Sequence, residues 1–273
     1  MERVKNADSF YTLLKNKFSG ILPQMTNSEI IFEGSNNILY CQDGVSLKNV
    51  TLRFLGSNSV VFLSSSRHSY SLTANIFNNS TLYFGEHNYF NPHGANMSLI
   101  LSEGKNIFFG KNCLFSHGIG IRLADPHLIY DVDTKKRLNH SKSVFVGDHV
   151  WIGQDVLILK GTQIGSGSIL GANSVISGKK IPSNSSWAGN PARLIRSGVF
   201  YSDECVHTWG HTESDKYEYK EHDAFIYSLN AHENLSFKNV DNIIISILEA
   251  KDKLEYLISN ICTNTKKNRF YIG

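Results

Sequence analysis

The chain lacks the features that announce several common protein classes. Its four cysteines, Cys41, Cys113, Cys205 and Cys262, stand in unrelated segments with no C-x-x-C pair. That spacing argues against a zinc knuckle or a disulfide scaffold and favours a reducing compartment. There is no run of about eighteen apolar residues, and the N-terminus M-E-R-V-K-N-A-D has no apolar signal core. Neither a membrane span nor secretion is expected, which points to the cytoplasm. The formal net charge is +3, with Lys and Arg scattered rather than striped, so nucleic acid is not an expected partner. Asn-x-Ser/Thr triplets such as Asn49-Val50-Thr51 read as products of an Asn- and Ser-rich composition. With 41% hydrophobic and 19% charged residues, 273 residues suit a globular chain with one extended core and an appendage.

What is present is a six-residue period. Between Val144 and Ile176 the aliphatic residues Val146, Ile152, Ile158, Ile164, Leu170 and Ile176 stand six apart. Two places before each stands a small or β-branched residue: Val144, Val150, Val156, Thr162, Ser168 and Ser174. Glycine follows at 147, 153, 165 and 171, where a corner must turn without a Cβ clash. A helix would space its apolar residues by three and four. Short runs with two inward side chains and a corner instead build a triangular coil of three parallel strands. The fold class is therefore all-β, a parallel β-helix.

Around this core the chain divides into three parts. Residues 1–27 form an N-terminal helical segment, with an amphipathic helix over 8–18 capped by Asp8 or Ser9. Residues 28–182 form the β-helix, its coils before about 104 irregular because their hexad phase is imperfect. Cys113 falls on an inward position and reads as a small core residue. The period stops near 122 and resumes at 144, so a polar loop of about 122–143 projects from the scaffold, where function tends to sit. Residues 183–273 form a C-terminal extension with a helix over about 241–262, N-capped by Asp241. Its apolar stripe at 244, 247, 248, 254, 258 and 261 packs on the body or on a partner subunit.

His127 and Trp151 carry a family resemblance. His127 lies 24 residues ahead of the tryptophan of a V-W-I-G hexad, and Ala188-Gly189-Asn190-Pro191-Ala192-Arg193 follows the last coil. Both features resemble the hexapeptide-repeat, left-handed β-helix acetyltransferases. The string D-P-H-L-I-Y-D…N-H-S-K-S-V-F-V-G-D-H-V-W-I-G is most similar to the members that O-acetylate capsular polysaccharides containing sialic acid. The likeness covers about 105–197 well, the earlier coils loosely and the C-terminal seventy or so residues hardly at all. It implies acetyl-CoA as co-substrate, a polysaccharide acceptor, no metal, and a homotrimer with its active sites between neighbours. His127 and Trp151 of one site then come from different chains.

The chemistry asks for a base, because a sugar hydroxyl is a poor nucleophile and imidazole titrates nearest neutrality. His127 takes that role. Asp125, held extended by Pro126, is the candidate to receive its Nδ1 proton. Trp151 points outward beside the donor groove or covers an adjacent subunit, and backbone N–H groups at the Trp151–Gly153 corner are candidate oxyanion donors. No Ser or Cys has a nucleophile setting, which favours direct attack. Of the rival bases, His140 and His149 read as surface or supporting residues, whereas His117 faces outward and is placed to hold the acceptor. Family positions for the coenzyme fall on Gln154, Ala172, Ser177, Arg193 and Arg196, with Lys179 or Lys180 for a phosphate. Arg122 and Tyr130 join His117 as acceptor candidates. Arg122, Lys135, Lys136 and Arg137 suit an anionic acceptor, and a solvated loop tip equally well. Rival readings keep the scaffold but change the acceptor to a small amino sugar, amino acid or antibiotic, or make the coil non-catalytic. A three-histidine zinc hydratase on the same coil lacks the required histidine spacing.

Overall fold

The computed structural model describes residues 1–273. Three parallel sheets of eight, eight and six strands wind into a triangular prism, with a short two-strand sheet completing the third face near its start. On the first face Gly120 lies beside Leu157 and Leu157 beside Val175. On the second, Ile107 lies beside Val144 and Phe145 beside Gln163. On the third, Leu114 lies beside Trp151 and Trp151 beside Ile169. The inward positions named by the period, among them Val146, Ile152, Ile158, Ile164, Leu170 and Ile176, are buried in one core, as is Cys113. The sheets are those of a left-handed β-helix.

The early coils are regular, contrary to the sequence expectation. Ile38 pairs with Val60, 22 residues on, and Thr51 pairs with Thr73, again 22 on. Trp151 and Ile169 are 18 apart. The extra residues sit in the corners, so the strict six-residue phase fails although the ladder continues. Many of those corners are asparagines in the left-handed region, including Asn36, Asn49, Asn58 and Asn79. Asparagine adopts that backbone more readily than other residues with a Cβ.

Two boundaries are corrected. The 1–27 segment is not an 8–18 helix. It holds a single 3-10 turn, Ala7–Thr12, capped by Asn6, and the coils begin at the strands Lys17–Gly20 and Gln24–Thr26. Phe10 is buried against Phe18, with ring centroids 4.4 Å apart, which fixes the turn as a lid on the first coil. The expected 241–262 helix is two, Phe237–Ser246 and Ala250–Tyr256, followed by the π-helical turn Leu257–Cys262. Ser236 caps the first, and Ile247 is extended, so the chain breaks after a run of β-branched isoleucines with low helix propensity. Asp241 instead accepts hydrogen bonds from Asn106 Nδ2 at 2.8 Å and Ser143 Oγ at 2.7 Å, tying the helix to the prism.

These helices cover the second face. Ile38, Val60, Phe62, Tyr83, Phe108 and Phe145 point outward there and join Phe237, Ile244, Leu254, Leu257 and Phe270 in a second core. The rings stack in a column, Tyr83 on Phe108 at 4.4 Å and Phe145 on Phe237 at 5.2 Å. An ion pair locks the cover down. Arg269 donates to both oxygens of Asp148, at 2.8 and 2.9 Å, with both residues almost fully buried. The remaining Arg269 donor, Nη1, goes to the Ile261 and Asn264 carbonyls. At the two ends of the prism the outermost strands, Glu2–Val4 and Arg193–Ser197, run antiparallel to their neighbours. No helix is long and apolar enough to cross a membrane.

Candidate active site

The loop that interrupts the period leaves the first face after Gly120–Arg122 and re-enters the second at Val144–Val146. It is a small hairpin, bridged between Tyr130 and Arg137, with the Asp131 carboxylate capping its turn through Thr134. Three contacts fix its base. Arg137 grips Glu103 with two hydrogen bonds of 2.6 and 3.0 Å, and that grip holds the Glu103 carboxyl down to about 2. Asn139 donates to the His127 carbonyl at 2.7 Å and accepts from the Ile129 N–H at 2.9 Å. Lys160, on the next coil, binds Asp125.

His127 is therefore held by its backbone, with its imidazole exposed and in no hydrogen bond within the chain. The expected partnership with Asp125 is not present. Lys160 takes that carboxylate and lowers its pKa, because an ammonium one coil away competes better than an imidazole two residues on, across a proline. Beside the loop a cleft of about 710 Å³ is lined by Arg122, Asp125, Pro126, Leu128, Arg137 and Phe77 among others. Arg122 thus lines the cleft, while Tyr130 stands exposed on the hairpin outside that lining.

Trp151 is on the third face, its indole outward and 38% exposed, with Nε1–H 3.5 Å from Ser116 Oγ. The oxyanion donors expected at its corner are already engaged: the Trp151 and Gly153 N–H groups donate to Ser168 and Leu170 carbonyls at 2.9 and 2.8 Å. Coil stacking consumes them. His117 lies one coil before on the edge between the third and first faces, with Nδ1 2.8 Å from the Gly94 carbonyl. Gln154 and Ala172 continue that edge, the Asn173 N–H donating to the Gln154 carbonyl at 2.8 Å.

Ser177 and Lys179 instead occupy the edge between the first and second faces, which also carries Lys160 and the His127 loop. Lys179 Nζ stands 5.5 Å from the centre of the Trp187 ring, and Lys180 is exposed in the adjoining strand. Arg193 and Arg196 are exposed on the reversed last strand. One chain therefore divides the predicted residues between two edges of the prism. His127, Arg122, Ser177 and Lys179 share one, and His117, Gln154 and Ala172 share the other.

His149 corrects a further expectation. It is not a surface corner but buried, its ring between Tyr201 at 4.1 Å and Phe225 at 3.8 Å. Nε2–H donates to the Tyr201 carbonyl at 3.0 Å, Nδ1 has no partner, and burial lowers the pKa of the ring. His140 is exposed, as expected. Asn139 and Lys160 were not singled out by the sequence, where each reads as one more polar residue of a corner.

The comparisons agree with this architecture. Residues 143–178 match the bacterial transferase hexapeptide (six repeats) model. The chain is 27% identical over 128 residues to a polysialic acid O-acetyltransferase of Neisseria meningitidis, covering 46% of this chain and 58% of that protein. It is 36% identical over 103 residues to a polysialic acid O-acetyltransferase of Escherichia coli O1:K1 / APEC, covering 38% of this chain and 33% of that one. The match thus spans between a third and somewhat over half the length of these curated relatives. The crystal structure of the polySia specific acetyltransferase NeuO superposes with a TM-score of 0.63 at 26% identity, covering 74% of this chain and 95% of that one. The polysialic acid O-acetyltransferase OatWY shares the fold, with a TM-score of 0.57 at 24% identity over 74% of this chain and 99% of that one. Repeat, prism and relatives thus agree: the chain carries the bacterial transferase hexapeptide repeat on a left-handed β-helix and is similar to polysialic acid O-acetyltransferases in both sequence and fold.

Proposed function

We propose that this chain moves an acetyl group from acetyl-CoA to a hydroxyl of a sialic-acid-containing surface polysaccharide, with His127 as general base. The observation that carries the reading is a backbone-clamped His127 with a free imidazole, at family spacing from an outward Trp151. In the reaction the imidazole takes the hydroxyl proton as the sugar oxygen attacks the thioester carbonyl. The carbon–sulfur bond then breaks and the proton passes to the leaving thiolate. No covalent enzyme intermediate is required, in keeping with Cys113 and Cys41, whose thiols are buried in the core with raised pKa values.

The division of residues between two prism edges supports a homotrimer in which one chain supplies His127 and Arg122 and its neighbour supplies Trp151, His117, Gln154 and Ala172. Exposed Leu128, Ile129, Val132 and Leu138 on the hairpin suit burial against a second copy. For the coenzyme, the exposed guanidiniums of Arg193 and Arg196 and the Lys179 ammonium suit phosphates, and the small corner at Ala172 leaves room for the pantetheine arm.

The test is incubation with labelled acetyl-CoA and a panel of polysaccharides, with NMR locating the label. His127→Ala should lower transfer by ~10²–10⁴-fold, the range of a general base, with the melting temperature unchanged. Transfer to none of the sialylated chains would remove the acceptor assignment, and a fully active His127→Ala would remove the base.

A further inference from the structure

The same prism edge that carries His117 holds a second cleft nearer the start of the chain. It encloses about 440 Å³ and is lined by Lys48, Asn49, His68, Ser69, Ser71 and the corner Asn91–Gly94. Its origin is an insertion. Ser66 pairs with Asn88, 22 residues on, but Tyr89 pairs with Leu114 and Leu72 with Met97, both 25 apart, so the corner between Phe90 and Met97 has three extra residues. These form a turn closed by the Gly94 N–H to the Asn91 carbonyl at 3.0 Å, with Asn91 Oδ1 accepting from the His93 N–H at 3.0 Å. The turn and the two preceding corners together line the recess.

Its lining is chemically one-sided. No hydrophobic residue lines it and no carboxylate does, while Lys48 contributes an ammonium and the histidines, asparagines and serines contribute donors and acceptors. His68 is set edge-on against Tyr89, with ring centroids 4.7 Å apart, so its orientation is fixed. Such a set fits a polyhydroxylated ligand bearing negative charge and disfavours an apolar one. The Gly94 carbonyl that closes the cleft is the group His117 Nδ1 engages, so the recess adjoins the acceptor candidate directly.

We propose that this cleft is a distal acceptor subsite, holding an anionic sugar unit of the polysaccharide while another unit lies at the reacting centre. This rests on the sialylated-acceptor reading above. The cleft spans three successive corners, about 10 Å at the usual strand spacing, a length matched to an extended sugar chain running along the edge. A long chain engages both places at once and gains affinity by effective concentration, whereas a short one cannot.

The experiment is direct binding of the full-length protein to oligosialic acids of two to eight units, without acetyl donor, for the wild type, Lys48→Glu and His93→Ala. Wild-type affinity should rise about tenfold from the shortest to the longest chain, the scale of one charge-assisted contact, and this gain should shrink to under about twofold in both variants. Both side chains are exposed, and unfolding curves of the variants confirm that the prism persists. A gain with length that survives both substitutions, or no gain in the wild type, overturns the subsite. Acetyl transfer to short sialylated acceptors is scored separately. Its absence would remove the reaction reading, while the length dependence of binding still decides the cleft.

Discussion

The second face of the prism and the edge beside His127 are built from the same repeating coil, yet they meet opposite fates. On the second face the strands Val60–Leu63, Thr81–Phe84 and Asn106–Phe109 are buried on both sides, because most outward positions, among them Val60, Phe62, Tyr83 and Phe108, are also hydrophobic. On the first face the strands Thr51–Phe54 and Leu72–Ile76 alternate between buried and partly exposed residues. The outward residue of each hexad decides whether a face demands a cover. The extension supplies that cover on the second face, and the His127 edge is left free to carry exposed polar groups. Packing is concentrated on the clothed side, and the candidate site lies on the bare one.

Arg269→Ala should break this contrast most severely. It strands the Asp148 carboxylate in a dry site, and removing one partner of such a pair costs ~3–5 kcal/mol, visible as a large drop in chemical-denaturation midpoint. Ile244→Ala, which empties a fully buried position between helix and face, should cost ~2–4 kcal/mol in the same measurement. His127→Ala should do the reverse, removing transfer and sparing stability.

His149 gives a smaller, pH-dependent effect. Its folded pKa lies below the ordinary 6.5, so the unfolded chain binds the extra proton first. The stability that the neutral ring contributes is present above about pH 6.5 and is lost as pH falls through and below that value. Melting temperatures from pH 7.5 to 5.5 should fall more steeply in the wild type than in His149→Phe, and equal slopes would refute the assignment.

The late coils are legible in the sequence because 18-residue turns keep the six-residue phase from Val144 to Ile176. The early coils are not, since three to seven added corner residues per turn shift the phase. Outward aromatics such as Phe62, Tyr83 and Phe108 also mimic core residues, which blurs the alternation. At the candidate site, the exposure of His127 on a projecting loop and the outward Trp151 were readable from the interrupted period. The partner of Asp125 was not, because Lys160 is adjacent by stacking and remote in sequence. The burial of His149 was equally hidden, as it depends on Tyr201 and Phe225 arriving from an extension without periodicity.

The reversed strands at the two ends of the prism have a consequence for how the molecule behaves in a crowded solution. A stack of parallel coils has no intrinsic stopping point: its last rung offers the same row of backbone donors and acceptors as every rung before it. Left bare, such rungs invite end-to-end polymerisation into fibrils. Glu2–Val4 and Arg193–Ser197 run against the grain of their sheets, and the second is exposed along its whole length and bears two arginines. Another molecule meeting either terminus finds the wrong polarity on that face. At each end, one of the three ladders is terminated as well as built.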